Sequence, residues 1–216
     1  MAAASATARA WTSSTPYAES LGDPARPLVL RTSTGQVLTL DAARFTAVPD
    51  AVDRTVLDRC QGPTLDLGCG PGRLVAELAR RGIPALGIEV APAAVLLGRA
   101  AGAAVLQRSL FGRLPGSGRW PHALLIDGNI GIGGDPAALL ARTRELLRPG
   151  GGELVVETDA EDVHEDHMVT FEGGDEPFGW TRIGTEALVR VAAGLGFAVR
   201  ERWSGGGRRF VALACP

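Results

Sequence analysis

Residues Thr64-Leu65-Asp66-Leu67-Gly68-Cys69-Gly70-Pro71-Gly72-Arg73-Leu74 read as a strand that runs into a glycine-rich turn and then a helix. Glycines at such a turn let the backbone approach a ligand where a Cβ would collide with it. Arg73 stands where the dinucleotide fingerprint requires its third glycine, so the match to a nicotinamide-dinucleotide site is poor. Seventeen residues past Gly72, at the end of the next strand, stands Glu89. A carboxylate there can accept hydrogen bonds from both hydroxyls of a ribose. The order strand, glycine turn, helix, strand, acid is what an adenosine-bearing ligand requires. Cys69 lies inside the turn with no histidine near it in sequence to activate it, so it reads as a small loop filler and not a nucleophile.

Two further stretches carry candidate chemistry. Asp127-Gly128-Asn129-Ile130-Gly131-Ile132-Gly133-Gly134 follows a short apolar strand, where an α/β sheet binds its ligands beyond the carboxyl ends of the strands. Its glycines fit a loop passing close to a ligand or able to move, and equally a connection with no such contact. The second stretch, 159–167, holds Asp159, Glu161, Asp162, His164, Glu165, Asp166 and His167. Its position fits a substrate lid, and four readings of it stay open. His164 or His167 can serve as a general base. The His-x-x-His spacing with its acids can hold a metal, although it fits no strong zinc signature, and no metal site is expected. The acids can attract a cationic substrate, or the segment is a solvated polar loop. Phe178, Trp180 and Arg182 read more readily as core than as a pocket wall.

The elements that must position these residues follow from periodicity. Residues 28–40 predict a β-hairpin turning at Gly35, and 50–60 a helix with Asp50 as N-cap. Strands are expected at 64–67, 85–90, 104–106, 123–127 and 153–157, alternating with helices that include 74–81 and 136–148. A last helix at 185–195 precedes two strands, 197–203 and 209–214, that form a closing hairpin. This alternation builds a parallel sheet covered by helices on both faces. The expected fold is α/β: a doubly wound, mostly parallel seven-stranded sheet with one antiparallel strand. The expected organisation is a disordered tail over 1–24, a hairpin and helix over 25–62, and the ligand-binding domain over 63–216.

Composition excludes several classes. All 22 basic residues are arginine, so neither a Schiff-base lysine nor a phosphate-loop lysine is present. The net charge of −2, with no basic block, argues against a nucleic-acid substrate. No apolar run approaches the ~20 residues of a membrane span. Cys60, Cys69 and Cys215 are odd in number and scattered, which predicts a reducing, cytoplasmic setting without a disulfide framework. Met1–Ser14 lacks the apolar core of a signal peptide; its Ala/Ser/Thr/Arg composition leaves a transit peptide as the alternative to a plain tail.

Taken together, LDLGCGPGRL (65–74), the acid Glu89, the strand LLID ending at Asp127, and LLRPGG (146–151) resemble the class I S-adenosylmethionine-dependent methyltransferases. The resemblance covers residues 63–158 and the closing hairpin in outline. It implies S-adenosylmethionine as co-substrate, with Asp66 and the backbone of Gly68, Cys69, Gly70 and Gly72 along its methionine and ribose portions. Glu89 is implied to hold the ribose hydroxyls, Val90 to face the adenine, and Asp127 and Gly128 to face the methionine end beside the transferred methyl. After the third strand the family often has an acid that meets the adenine amino group. Here Ser109 stands instead, so adenine recognition leans on Leu110 and its backbone N–H.

The function this implies is methyl transfer to a small-molecule acceptor, with Asp127, His164 and His167 as candidate catalytic residues. Sulfonium methyl transfer needs mainly a placed nucleophile and exclusion of water, so the want of a catalytic triad does not argue against it. The Asn-Pro-Pro-Tyr type motif of amino-group DNA and protein methylases is missing, which lowers the expectation of such substrates. Two rivals are a non-catalytic S-adenosylmethionine-binding module, sensor or complex subunit, and a nicotinamide-dependent oxidoreductase. The sequence leaves the oligomeric state open.

Overall fold

The computed structural model describes residues 11–12, 14–23 and 25–216. The chain opens with helix α1 (Thr15–Gly22), hairpin β1 (Leu28–Thr32) and β2 (Val37–Leu40), and short helices α2 (Ala42–Thr46) and α3 (Ala51–Leu57). Then come β3 (Thr64–Leu67), α4 (Arg73–Arg80), β4 (Ala85–Glu89), α5 (Pro92–Ala100), β5 (Val105–Gln107), β6 (His122–Leu125), α6 (Pro136–Leu146) and β7 (Glu153–Thr158). The last third adds β8 (His164–Phe171), β9 (Phe178–Ile183), α7 (Thr185–Gly194), β10 (Ala198–Gly205) and β11 (Arg208–Ala214).

Seven strands form one sheet in the order β10-β11-β7-β6-β3-β4-β5. Strands β7, β6, β3, β4 and β5 are parallel, and β11 enters against them. This is the expected mostly parallel sheet with one antiparallel strand. Both faces are covered, so its central strands are apolar almost without interruption. Leu65, Leu125 and Val156 pack beneath Leu139 of α6 and Leu188 of α7. Their neighbours Leu124 and Val155 point the other way, against Leu57 of α3 and Leu78 of α4. The period-two alternation of a strand assigns each side chain to its layer.

Three expectations need correction. The polar stretch from 159 is not a lid-like loop. After a bend it becomes β8, which pairs with β9 and, through Leu30↔Phe171, with the N-terminal hairpin. A second, four-stranded antiparallel sheet results, in the order β2-β1-β8-β9. The charged run at the start of β8 hides its alternation; only Val169 and Phe171, at its far end, are buried apolar residues. Secondly, residues 25–62, expected as a preface to the core, are built into it further than that, because their hairpin shares this sheet with residues from the last third of the chain. Thirdly, part of the expected disordered tail is ordered. Ser14 Oγ caps α1 by accepting from Tyr17 N at 3.1 Å, and Tyr17 and Leu21 are buried. They join Trp11, Phe171, Phe178 and Trp180 in a small core of their own. Residues 1–10, 13 and 24 of the stretch read as a tail lie outside the described residues.

Candidate active site

Strand β3 is buried along its whole length and delivers the glycine turn to the carboxyl end of the parallel sheet. At Gly68 (φ 77°) a Cβ would sit 2.7 Å from Ile132 Cδ1, and at Gly72 (φ 75°) 2.9 Å from Ala103 Cβ. The first glycine therefore clears a neighbouring loop, and the second lets α4 pack closely on the sheet. The turn is braced from outside as well: Asn129 Nδ2 donates to Leu67 O at 3.0 Å and to Gly68 O at 2.8 Å.

Glu89, at the end of β4, turns its carboxylate under the glycine turn. It accepts from Gly70 N at 3.0 Å and from Val90 N and Ala91 N at 2.6 and 2.8 Å. Burial raises its pKa, while the three backbone donors pull the other way. A carboxylate has about four lone-pair sites, so three bonds leave room for another donor.

Around these groups lies a cavity. Of the residues expected from the sequence, Gly68, Cys69, Gly70, Glu89, Val90, Ser109, Leu110 and Asp127 line it. Asp66, Gly72 and Gly128 do not. Asp66 is buried behind the turn, where burial first and then the charge of Asp127 push its pKa to about 7. Gly72 serves packing, and Gly128 faces a second cleft next door. Ser109 Oγ accepts from Phe111 N at 3.3 Å. The Cys69 thiol is raised well above its ordinary value, mainly by burial, which keeps it from acting as a thiolate. His164 and His167 line neither the cavity nor the cleft. They sit on β8, His167 Nε2 lying 3.4 Å from Glu165 Oε2 and His164 Nε2 3.9 Å from Asp166 Oδ1. Neither of these two candidate bases lies on the cavity wall, because β8 runs along the small sheet.

The remaining wall was not foreseen. Trp11, Tyr17, Leu40, Phe45 and Trp180 close the cavity from the N-terminal segment and the small sheet. Trp180 was read as core; it is 4% exposed and serves both as core and as wall. Burial, with Glu89 next, raises the Tyr17 phenol well above its usual range, so it remains a hydroxyl. No periodicity in 1–24 marks these residues; their one signal is two aromatics in a polar segment. The loop 128–134 is held against β9: a Cβ on Gly134 would fall 2.8 Å from Gly179 Cα, so its glycines permit close backbone packing.

Beneath the cavity lies a buried ionic cluster. Arg73 bonds Asp53 through both terminal nitrogens, and its Nη2 reaches Asp127 Oδ2 at 2.8 Å. Arg208 bonds Asp53 at 2.7 Å, Glu157 at 2.7 Å and Asp127 at 3.3 Å. Asp127 N donates to Glu157 Oε2 at 2.7 Å. Asp127 is the only non-glycine with positive φ (56°) among the described residues, a conformation that aspartate tolerates better than most side chains. Burial pushes the Asp53 carboxyl up, but hydrogen bonds from Arg73 and Arg208 outweigh it and hold it at about 2. At Asp127 burial is the larger effect and raises the pKa against the pull of Arg73. The cluster holds three carboxylates and two guanidiniums, and of these Asp127 and Arg73 line the cavity.

Comparison with known proteins places this geometry in context. A search of curated proteins finds no match. The fold resembles an S-adenosylmethionine-dependent methyltransferase from Bacteroides fragilis, solved with S-adenosyl-L-homocysteine, at 22% identity and TM-score 0.74; 93% of this chain and 94% of that one are covered. It also resembles 1,6-didemethyltoxoflavin-N1-methyltransferase from Burkholderia thailandensis at 17% identity and TM-score 0.56, covering 74% and 73% of the two chains. A third likeness is the glycopeptide N-methyltransferase MtfA, solved with S-adenosyl-L-methionine, at 17% identity and TM-score 0.57, covering 80% and 96%. At these identities the likeness shows the fold. The family model for a methyltransferase domain matches residues 40–202, a span that holds the glycine turn, Glu89, Asp127 and the small sheet's last strand. The chain therefore belongs to the methyltransferase domain family.

Proposed function

We propose that this methyltransferase takes S-adenosylmethionine in the cavity above the glycine turn and passes its methyl to a small-molecule acceptor. The observation that carries the reading is the Glu89 carboxylate, buried at the end of β4 yet on the cavity wall and already bonded to Gly70 N. It suits the paired hydroxyls of a ribose. The solved S-adenosylmethionine and S-adenosyl-L-homocysteine complexes of the structural neighbours support the same ligand.

When bound, S-adenosylmethionine supplies a methyl group already activated on a sulfonium. The chain's own residues then have three tasks. The backbone of Gly68–Gly70 and the carboxylate of Glu89 fix the ligand's ribose and methionine portions. Val90, Ser109, Leu110 and Phe111 line the part of the cavity that would take the adenine. The Asp127 carboxylate on the cavity wall favours a positive sulfur at the methionine end, and the aromatic wall excludes water from it.

An open cleft adjoins the cavity and shares Asp127 with it. An open acceptor space there favours catalysis over a non-catalytic binding module. Calorimetric titration with S-adenosylhomocysteine tests the ligand, and Glu89→Ala tests the contact. An unchanged affinity in Glu89→Ala would remove the basis of the assignment. No helix among the described residues is long and apolar enough to cross a membrane.

A further inference from the structure

We propose that the acceptor is a short peptide-like chain with a free α-amine, which lies along the outer edge of β2 and presents its nitrogen at Asp127. This rests on the cofactor reading above and goes on to name the acceptor's class.

The cofactor cavity and the adjoining cleft share Leu40, Phe45, Asp127 and Trp180. A nucleophile must pass this junction to reach the methyl. One wall of the cleft is the unbroken run Gln36–Asp41. Side chains of a strand alternate between faces, so consecutive lining residues mean that the backbone edge, and not one face, borders the space. Strand β2 is the terminal strand of its sheet and pairs with β1 alone. Thr32 N donates to Gln36 O at the hairpin mouth. By antiparallel alternation the bonded pairs with β1 are then Leu30/Leu38 and Leu28/Leu40, which turns the N–H and C=O of Val37 and Thr39 outward. Among the described residues no backbone bond occupies that outer edge. An edge of this kind is a template for an extended chain that carries its own amides.

The charges select the end of that chain. Carboxylates Asp41, Asp127, Glu157, Asp159 and Glu161 line the cleft, against three arginines. Each arginine already has acidic partners. Arg182 is held by Asp159, Glu161 and Glu165; Arg208 by Asp53, Asp127 and Glu157; Arg44 lies 3.6 Å from Asp41. The excess is negative, so the cleft draws in an ammonium and repels a carboxylate.

An α-amine fits better than a lysine side chain. Neither histidine lines the cavity or the cleft, although His167 pairs across the strands with Trp180, and Asp127 and Glu157 are engaged by arginine. An α-amine, with a pKa of about 8, gives up its proton to solvent near neutrality, whereas a lysine amine at about 10.4 needs a base. The neutral nitrogen's lone pair then forms the N–C bond as the methyl–sulfur bond breaks and its electron pair stays on sulfur. The resulting secondary ammonium releases its proton to water.

The test incubates the full chain with S-adenosylmethionine and a set of short unstructured peptides, reading added methyl by mass spectrometry. Free-amine peptides should gain a methyl at the N-terminus, and their N-acetylated forms, with or without an internal lysine, should gain none. N-methylating the peptide's own amides one at a time should lower kcat/KM about fivefold to tenfold at alternate positions only, each step removing one edge hydrogen bond. Thr39→Pro should show a loss of similar size with unchanged S-adenosylhomocysteine affinity. Equal methylation of acetylated peptides, or a loss without period two, overturns the proposal. Normal S-adenosylhomocysteine binding with no peptide methylated overturns the acceptor class alone, whereas no binding overturns the cofactor reading and this proposal with it.

Discussion

Arg73, the first residue of α4, reaches across the base of the cavity to Asp127 Oδ2 at 2.8 Å and, with its other terminal nitrogen, to Asp53 on α3. One guanidinium thus joins the helix after the glycine turn, the loop after β6 and the helix before the core. Asp127 is thereby clamped in place by its arginine partners.

Breaking that clamp from its remote end should be costly. Asp53→Ala leaves two buried arginines short of a partner, and breaking a buried ion pair in this way costs about 3–5 kcal/mol. Urea denaturation of the variant should show it; a loss below about 1 kcal/mol would mean that the cluster is solvated in solution.

Substitutions at Asp127 should separate charge from backbone. Asp127→Asn keeps a side chain that tolerates φ 56° and removes only the charge, so the fold should persist while kcat/KM falls about tenfold or more. Asp127→Ala adds strain of about 1–2 kcal/mol. Steady-state kinetics beside thermal melts distinguish the two.

Glu89→Gln should weaken S-adenosylhomocysteine binding by about ten- to a hundredfold, the worth of a hydrogen bond to a charged group. Gly68→Ala should do so by another route, since its Cβ would collide with Ile132 Cδ1 and force the turn open. Calorimetry on both variants checks this.

His164→Ala and His167→Ala should leave kcat/KM within about twofold of the parent, because neither ring lines the cavity or the cleft. A large loss in either would return the histidines to the reaction.

The ligand-free protein should lose stability as pH rises. Asp66 has its folded pKa raised from 3.8 to about 7, so its contribution is complete below pH 3.8 and is lost as pH climbs through 7. Shifts at Glu89 and Asp127 act in the same direction. Asp66→Asn should flatten the fall between about pH 4 and 7 and raise the melting temperature at pH 8. A parent protein equally stable at pH 5 and pH 8 would contradict this.

The seven-stranded sheet was legible because each of its central strands is a short apolar run bounded by glycine or proline, and burial on both faces writes that pattern directly into residue type. The glycine-turn side of the cavity was legible for a related reason. The turn needs glycine backbone, and Glu89 must end a strand, so local spacing alone carries the signal. Residue type and spacing therefore determined the sheet and the glycine-turn wall of the cavity. The second sheet, the N-terminal wall of Trp11 and Tyr17, and the ionic cluster that pins Asp127 were decided only by tertiary structure. Their partners lie far apart in sequence, 20 residues for Arg73–Asp53 and 155 for Arg208–Asp53, and ion pairs and aromatic contacts formed over such distances impose no period on the chain between them.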